Sequence, residues 1–406
     1  MNILMVNKFY YLRGGAERSF FETSRILEEH GHRVIPFAMR DERNRQTPYG
    51  KFFVDHVEFN QDHSIAEKLA IVSRVVYFRQ ARRRLERLLR AEQIDIAHLH
   101  NIAHQISPSI LDSLRRHGIP VVQTLHDYKL ICPTYNLLAS GRICERCHGG
   151  RYYHTIGQRC NKGSLSASML NAVEMYTHRA LRIYQRGIDR FISPSHFLRR
   201  KLQADGVSTP IFYLPNAVEL AQYQPADGQG DYCVYFGRLS PEKGVRTLIT
   251  AVAGCPQLRL KIVGDGLQRE ELEAYCRARR LANVEFLGSQ YGEELKSIVR
   301  EALFVVIPSE WYENCPYVIL ESFALGKPVV GSNLGGIPEL ITHGRDGFLF
   351  ASGDSEDLKD KLERLADDEE TRIRMGRNAR QKVEQRFNLA SHYEQLMEAY
   401  DLVFRR

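Results

Sequence analysis

The stretch Ser309–Gly336 constrains the fold of this chain more than any other segment; it reads SEWYENCPYVILESFALGKPVVGSNLGG. The apolar run Ala302–Ile307 before it has the pattern of a buried strand that ends in a loop, and the segment GKPVVGS has the same pattern. Buried strands of this kind are typical of open α/β sheets, whose ligand sites gather at the carboxyl ends of the strands. We therefore expect an α/β protein with a ligand site in this stretch.

Two acids, Glu313 and Glu321, lie in this stretch with seven residues between them. Pro316 suits the first turn of a helix, where its missing N–H would be unpaired in any case. A helix that begins there presents free N–H groups beside Glu313, and Glu321 lies further along on the same side. Carboxylates bind sugar hydroxyls well, because a charged acceptor makes a hydrogen bond about twice as strong as a neutral one. The alternative is that both glutamates are solvated helix positions.

The stretch resembles the signature of the retaining nucleotide-sugar glycosyltransferases of family 4. These enzymes have the GT-B fold, in which two Rossmann-like, doubly wound domains face a cleft. The resemblance implies that Glu313 grips the transferred sugar and that Glu321 holds the ribose hydroxyls. It also implies donor contacts from the residues that follow Glu313, namely Asn314, Cys315, Pro316 and Tyr317.

A second motif, Gly237-Arg238-Leu239-Ser240-Pro241-Glu242-Lys243, follows the strand pattern Tyr232–Phe236. Arg binds phosphate in a bidentate manner and Lys supplies a compact charge, so Arg238 and Lys243 form a plausible diphosphate clamp. A helix start with solvated basic residues is the alternative. The family has an Arg and Lys pair at this place, which favours the clamp, with Gly237 in the turn.

Two motifs of the first half fall in loops that follow strands. Gly14 and Gly15 lie between the strand Asn2–Asn7 and a helix, where glycines let a ligand approach the backbone. In the resembled family this loop lies against the donor phosphates. His126 follows the strand Pro120–Leu125, at the position where the family places a histidine beside the transferred sugar.

His98 and His100 lie two residues apart on one strand and point the same way. We interpret them as hydrogen-bonded residues at a strand end and assign them no metal. The chain carries no Asp-x-Asp at a strand end, so we also expect no catalytic divalent metal.

The segment 132–160 is unusually rich in cysteine, with spacings of x11, x2 and x12. Disulfides are rare in the cytoplasm, so clustered cysteines suggest a metal. Four thiolates close a tetrahedral zinc site that has no open position, which predicts a structural zinc. Four reduced thiols or an iron–sulfur cluster remain as alternatives. The proposed ligands are Cys132, Cys144, Cys147 and Cys160.

Charge is distributed unevenly along the chain. Residues 1–215 hold 32 Lys and Arg against 19 Asp and Glu, a net charge of +13, which leaves 24 against 30, or −6, for the rest. A basic first half suggests an anionic partner. No nucleic-acid-binding module pattern is present, so we expect an anionic membrane leaflet rather than nucleic acid. The helix pattern Ile65–Arg90 has a basic face that either rests on such a leaflet or is simply solvated. The sequence also predicts a single helix over Ser164–Arg186 and a strand over Arg259–Val263.

The chain opens without the basic region, long apolar region and cleavage site of a secretory signal, so we expect a cytoplasmic protein, peripheral on the inner membrane face. A polar stretch rich in Pro and Gly predicts a domain boundary near residue 215. The expected parts are an acceptor-side domain (1–215) with the cysteine insertion, a nucleotide-sugar-binding domain (216–388), and a C-terminal helix (389–406) that, as in the family, crosses back to the first domain.

The resulting interpretation is a retaining glycosyltransferase that moves a sugar from a nucleotide-diphosphate donor to an acceptor hydroxyl. A lipid-linked acceptor, and hence a role in bacterial cell-surface polysaccharide or glycolipid assembly, follows from the basic first half. Two rivals remain: a nucleotide-sugar epimerase of the same architecture, and a zinc-stabilised basic binding module.

Overall fold

A computed structural model describes residues 1–56, 74, 77–226 and 230–405. The chain forms two compact units. The first comprises Met1–Ser140, Cys144–Leu214 and Tyr393–Arg406, and the second comprises Gly141–Ile143 and Pro215–His392.

The first unit is built on a six-stranded parallel sheet with the order β2-β1-β3-β4-β7-β8. Strands β1, β3 and β4 are buried along nearly their whole length, as expected for a parallel sheet that is covered on both faces. The strands in the first half of the chain are β1 (Asn2–Val6), β2 (Arg33–Phe37), β3 (Ile96–Leu99), β4 (Val121–Thr124), β5 (Leu138–Ala139), β6 (Arg142–Ile143), β7 (Arg190–Ser193) and β8 (Ile211–Tyr213).

The helices of this half cover the sheet, and short 3-10 turns occur at Pro48–Phe52 and His148–Gly150. The helices are α1 (Gly15–Glu29), α2 (Arg79–Ala91), α3 (Ile110–Arg116), α4 (Tyr153–Gly157), α5 (Leu165–Ala180), α6 (Ile183–Gly187) and α7 (His196–Ala204).

The second unit contains another six-stranded parallel sheet, with the order β11-β10-β9-β12-β13-β14. Successive residues of its central strand pack into different core clusters, because side chains alternate between the faces of a sheet. The strands are β9 (Tyr232–Phe236), β10 (Arg259–Val263), β11 (Val284–Gly288), β12 (Val305–Ile307), β13 (Val329–Ser332) and β14 (Gly347–Phe350).

Helices again alternate with these strands, and 3-10 turns occur at Leu220–Gln222 and Pro241–Lys243. The helices are α8 (Val245–Ala253), α9 (Arg269–Ala278), α10 (Gly292–Glu301), α11 (Tyr317–Ala324), α12 (Ile337–Leu340), α13 (Ser355–Asp367) and α14 (Glu369–Arg386). The last helix, α15 (Leu389–Phe404), belongs to the first unit from Tyr393 onward. Two parallel-sheet, Rossmann-like units confirm the predicted fold class.

The structure corrects three local predictions. Pro316 lies at the N-cap of α11 rather than in its first turn, so the helix begins at Tyr317. The single helix predicted over 164–186 is two helices, because Arg182 adopts a left-handed conformation with φ of 52° between them. Of the helix predicted over 65–90, α2 begins only at Arg79, and residues 65–73, 75 and 76 lie outside the described residues.

Candidate functional site

A buried ion pair lies at the carboxyl end of β12. The ammonium of Lys243 donates to Oε1 of Glu313 at 2.6 Å, and the same oxygen accepts a hydrogen bond from Ser309 at 2.8 Å. The Lys243 ammonium also lies 5.2 Å from the ring centroid of Trp311. The two predicted site residues Lys243 and Glu313, 70 positions apart in sequence, therefore meet directly.

The ion pair determines the charge of Glu313. Burial alone would raise the pKa of its carboxyl, but the ammonium of Lys243 and the hydrogen bonds from Lys243 and Ser309 outweigh burial and lower that pKa. Glu313 is therefore a carboxylate at neutral pH. A buried carboxylate of this kind can accept hydrogen bonds from sugar hydroxyls, while the cation beside it attracts phosphate.

Glycines hold the Glu313 loop against its neighbour. A Cβ atom on Gly335, whose φ is +64°, would lie 2.6 Å from the carbonyl oxygen of Glu313, and one on Gly336 would lie 1.8 Å from the carbonyl oxygen of Asn314. The N–H of Gly336 donates to the Glu313 carbonyl at 2.7 Å. Sequence reasoning gave this Gly-Gly pair no role, although paired glycines after a strand are the signal of a close backbone approach.

A glycine also fixes the backbone next to Lys243. Gly244 has a φ of +67°, and a Cβ atom there would lie 1.9 Å from the carbonyl oxygen of Pro308. Lys243, the last residue of the Pro241–Lys243 turn, thus immediately precedes a tight contact between Gly244 and the residue after β12. Arg238, the other predicted cation, is exposed in the loop after β9, and Gly237 before it has a φ of +151°.

The remaining predicted donor residues surround the start of α11. Cys315 is buried, and its carbonyl accepts a hydrogen bond from the side chain of Asn216 at 2.8 Å. Glu321 lies within α11 and accepts a hydrogen bond from the hydroxyl of Tyr223 at 3.1 Å. Glu313 thus has a lysine as a partner and Glu321 has a tyrosine, so the two acids have different surroundings.

The first unit contains a row of stacked imidazoles. The ring of His98 stacks on His100 with centroids 4.7 Å apart, and His100 stacks on His126 at 5.0 Å. Nδ1 of His100 lies 2.8 Å from Nε2 of His126. Nδ1 of His98 hydrogen-bonds with the hydroxyl of Tyr400 and Nε2 with that of Thr124, each at 2.7 Å. The two strand histidines are thus hydrogen-bonded, as the sequence predicted.

This row determines which nitrogen of His126 carries the proton. Nε2 of His100 is buried and has no hydrogen-bond partner among the described residues. An unpaired buried acceptor is tolerated better than an unpaired buried N–H, so the proton of His100 belongs on Nδ1. Nε2 of His126 then accepts this bond, and His126 carries its own proton on Nδ1. Burial, with a smaller effect of Lys8, lowers the pKa of His126 to about 4, so the ring is neutral at pH 7.

His126 lines a pocket of the first unit together with Lys8, Asp127 and Lys129. Burial lowers the pKa of Lys8 and raises that of Asp127, although both residues stay partly exposed. Beneath it, Lys129 donates to the fully buried Glu174 at 2.8 Å. The pocket therefore offers polar groups with strongly perturbed ionisation at the carboxyl end of β4, where chemistry is expected.

The predicted glycine loop lies before α1. Gly14 is the N-cap of that helix, in extended backbone, and Gly15 is its first residue. A Cβ atom on Gly14 would meet only the carboxylate of Glu17, at 3.8 Å. The space beside Gly14 is therefore open apart from this carboxylate.

The four cysteines of the predicted zinc site are free thiols, with Cys132 and Cys147 buried and Cys144 and Cys160 partly exposed. Burial and the charges of the other three thiols raise the pKa of Cys160 to about 11, so the four groups lie within electrostatic reach of one another. In the part of the chain that the structure describes, no group of three or more His, Cys, Asp or Glu side chains is arranged to hold a metal ion. The zinc site therefore stays a prediction.

No helix in the described ranges is both long and apolar enough to cross a membrane.

Comparison with known proteins gives relatives for both units. A GDP-mannose-dependent alpha-mannosyltransferase of Mycobacterium tuberculosis is 30% identical over 279 residues, which cover 67% of this chain and 64% of that protein. An uncharacterized glycosyltransferase of Methanocaldococcus jannaschii is 28% identical over 193 residues, 48% of this chain and 54% of the relative. The chain thus spans about half the length of the curated relatives it matches.

Among solved structures, sucrose-phosphate synthase from Thermosynechococcus elongatus aligns with a TM-score of 0.75 at 19% identity, covering 100% of this chain and 99% of that one. At such identity the likeness shows the fold alone, which is that of GT-B glycosyltransferases.

Family profiles match nearly the whole chain. The profile described as Glycosyl transferases group 1 matches residues 219–382, and the one described as Glycosyltransferase Family 4 matches residues 13–222, more than half of the chain. The chain therefore belongs to glycosyltransferase family 4.

Proposed function

We propose that this protein is a retaining glycosyltransferase that moves a sugar from a nucleotide-diphosphate donor to an acceptor hydroxyl. The observation that carries the proposal is the buried pair of Lys243 and Glu313, which sets a phosphate-binding cation beside a sugar-binding carboxylate. Family membership supports the class of reaction. A structural relative, HepE of Anabaena, has been solved in complex with UDP-glucose and aligns with a TM-score of 0.65 at 22% identity, covering 99% of both chains.

In the proposed reaction, the bond between the anomeric carbon and the diphosphate oxygen breaks, so positive charge develops on the sugar ring and negative charge on the diphosphate. Lys243 and the exposed Arg238 stabilise the departing diphosphate, because fixed cations are most effective where charge develops. The acceptor oxygen bonds to the same face of the sugar, and its proton passes to the departing phosphate oxygen. Configuration is retained without a protein nucleophile or a divalent metal.

The other residues orient the donor in this scheme. Glu313 accepts hydrogen bonds from the sugar hydroxyls, with Asn314 and the backbone of Cys315 and Tyr317 beside it, and Glu321 holds the ribose. His126 donates its Nδ1–H to the sugar and does not remove a proton, because its pKa of about 4 leaves it a poor base.

The donor is tested by thermal denaturation with UDP-, GDP-, ADP- and dTDP-sugars, since a ligand that binds the native state alone raises the melting temperature. We expect one nucleotide series to stabilise the protein, and turnover with that donor to require an acceptor alcohol. Isomerisation of the donor without acceptor would indicate the epimerase instead. Salt-sensitive binding of nucleic acid without any donor binding would indicate the basic binding module.

We propose that the pocket beside His126 takes the acceptor, and that the acceptor is lipid-linked, as in cell-surface polysaccharide or glycolipid assembly. The net charge of +13 in residues 1–215 supports the proposal that the enzyme acts at an anionic membrane surface. A water-soluble acceptor analogue without a lipid should then be used less well than the same acceptor presented in anionic vesicles.

We also propose a structural zinc ion held by the four thiols of segment 132–160. The Cys144-x2-Cys147 spacing and the mutual effect of the thiols on their pKa values support it, because a divalent cation would remove the cost of forming neighbouring thiolates. Metal analysis of protein purified without a His-tag should give one zinc per chain; the absence of zinc, or iron with acid-labile sulfide in its place, would refute this.

A further inference from the structure

Helix α5 has an unusual distribution of side chains. Its buried face carries polar groups, including Ser168, Asn171, Glu174 and His178. These groups have partners inside the unit: Glu174 pairs with Lys129 at 2.8 Å, and Asn171 donates to the carbonyl of Pro133 at 3.3 Å. The buried face of α5 therefore combines these polar groups with the apolar Ala172 and Met175.

The opposite face of α5 is apolar and exposed. Leu165, Met169, Val173 and Tyr176 are 52%, 52%, 48% and 41% exposed. Their spacing of four, four and three residues places them on one side of the helix. Tyr153, which is 53% exposed, extends the stripe, since its N–H donates to the hydroxyl of Tyr176 at 3.2 Å. These five residues are called the α5 stripe below, and a contiguous patch of this kind marks an interaction surface.

The segment around the α5 stripe is strongly basic. Residues 141–187 contain eight Lys and Arg and two acids, and one of those acids, Glu174, is buried and paired with Lys129. Glu145 alone remains as an exposed acid in this segment. The basic residues are all exposed, namely Arg142, Arg146, Arg151, Arg159, Lys162, Arg179, Arg182 and Arg186.

We propose that the α5 stripe is a docking surface for an anionic lipid bilayer, with α5 lying in the plane of the interface. Leu165, Met169 and Val173 would enter the boundary between headgroups and acyl chains, and the tyrosines would lie at headgroup level. The arginines would contact anionic headgroups. The surface does not depend on the donor chemistry, so it can be tested apart from the proposed reaction.

Charge complementarity favours a bilayer over a protein partner. A surface that binds a protein partner of mixed charge would carry both acidic and basic residues at its rim. The exposed charged residues of segment 141–187 are instead all basic except Glu145. Helix α2 provides a comparison, because its arginines at 79, 83 and 87 are also exposed but its apolar residues Ala81, Leu85 and Leu88 are buried. Helix α2 thus has a basic face with its apolar residues buried, whereas α5 has an exposed apolar face within the basic segment 141–187.

The test is flotation of the full chain with vesicles of phosphatidylcholine, with and without phosphatidylglycerol. We expect binding to the anionic vesicles only, weakened by salt. Met169→Glu/Val173→Glu should weaken binding at least about tenfold, because the stripe can no longer enter the interface. Arg182→Glu/Arg186→Glu should weaken it by at least about thirtyfold, since two favourable charges are lost.

Matched controls separate the stripe from general effects of charge and folding. Leu267→Glu changes a leucine that is 97% exposed in the second unit, and Arg83→Glu/Arg87→Glu makes the same charge change on α2. We expect the first to bind as the parent protein does and the second to lose less than about threefold. Melting temperature and donor binding should be unchanged in every variant. Vesicle binding by Met169→Glu/Val173→Glu that equals that of the parent protein would overturn the proposal. It would also be overturned if light scattering showed that the parent protein is a dimer and that this variant is a monomer.

Discussion

Among the described residues, each unit has a lysine paired with a buried glutamate, and the two pairs differ in what else the lysine contacts. In the first unit, Lys129 donates to Glu174 at 2.8 Å and to the carbonyl of Pro133 at 3.0 Å, and its ammonium lies 3.3 Å from Nε2 of His104. In the second unit, the only hydrogen bond that the described residues give to the Lys243 ammonium is the one to Glu313.

The difference separates a structural ion pair from one that can bind a ligand. An ammonium has three hydrogens; Lys129 donates to two acceptors and Lys243 to one, so Lys243 keeps more donors for a further anion. Exposure follows the same order: the side chains of Lys129 and Glu174 are 10% and 0% exposed, and those of Lys243 and Glu313 are 25% and 10% exposed. We infer that the first pair holds the acceptor-side pocket together and that the second performs the binding of the donor.

The largest expected effect is on stability, from Lys129→Met. Removing the lysine leaves the carboxylate of Glu174 buried without its cation, and such a change costs about 3–5 kcal/mol. Urea unfolding of the variant and the parent protein measures this difference. The double variant Lys129→Met/Glu174→Gln should recover most of the loss, because no unpaired charge is left. A single variant as stable as the parent would show that the pair is not structural.

The next effect is on turnover, from Lys243→Met. We expect at least about a hundredfold lower kcat, the scale of removing one preorganised charge donor. Some stability is lost as well, because Glu313 stays buried and charged. Lys243→Met/Glu313→Gln should restore the stability but not the turnover. Recovery of turnover together with stability would mean that the lysine only holds the fold, as Lys129 does, and would remove the distinction between the two pairs.

A third prediction concerns pH. Burial and Lys8 lower the pKa of His126 to about 4 in the folded protein, whereas the pKa of a histidine in the unfolded chain is about 6.5. As the pH falls, the unfolded chain therefore takes up a proton on His126 before the folded protein does. Stability is therefore complete above about pH 6.5 and declines as the pH falls towards 4. The loss between pH 7.5 and 5 is about 2 kcal/mol for this residue.

Urea unfolding at several pH values tests this linkage. His126→Asn should flatten the decline, while His117→Gln, at an exposed histidine, should leave it unchanged. Because the pKa of Glu313 is lowered and the pKa of His126 is about 4, turnover should show no limb between pH 6 and 8 that depends on His126. An equal pH slope in His126→Asn and the parent would contradict the neutral, buried imidazole.

Much of the fold could be predicted because buried parallel strands appear in the sequence as continuous runs of apolar residues. Tyr232–Phe236 and Arg259–Val263 were predicted with the bounds that the structure shows. Helix ends were harder, since they depend on single residues: a left-handed Arg182 divides one predicted helix, and no Gly or Pro marks that position. Pro316 fits both the N-cap and the first turn, so its position was settled only by the backbone around it.

The candidate site was predictable residue by residue but not as a set of contacts. Sequence motifs identified Lys243 and Glu313 separately, as a phosphate ligand and a sugar ligand, and nothing in their spacing indicates that they pair at 2.6 Å. The pairing arises because β9 and β12 are neighbours in the sheet although 68 residues lie between them. The polar inner face of α5 was missed for a similar reason, since Lys129, the partner of Glu174, lies 45 positions away.

The smallest effects come from two hydroxyls that support the two sites. Ser309 donates to the carboxylate of Glu313 at 2.8 Å, and Thr124 hydrogen-bonds with Nε2 of His98 at 2.7 Å. A hydrogen bond to a charged group contributes about 1.5–3 kcal/mol and a typical hydrogen bond about 0.5–1.5 kcal/mol. Ser309→Ala should therefore destabilise the protein more than Thr124→Val, and both losses are measurable by urea unfolding. If the order were reversed, the carboxylate of Glu313 would not depend on Ser309 for its charge.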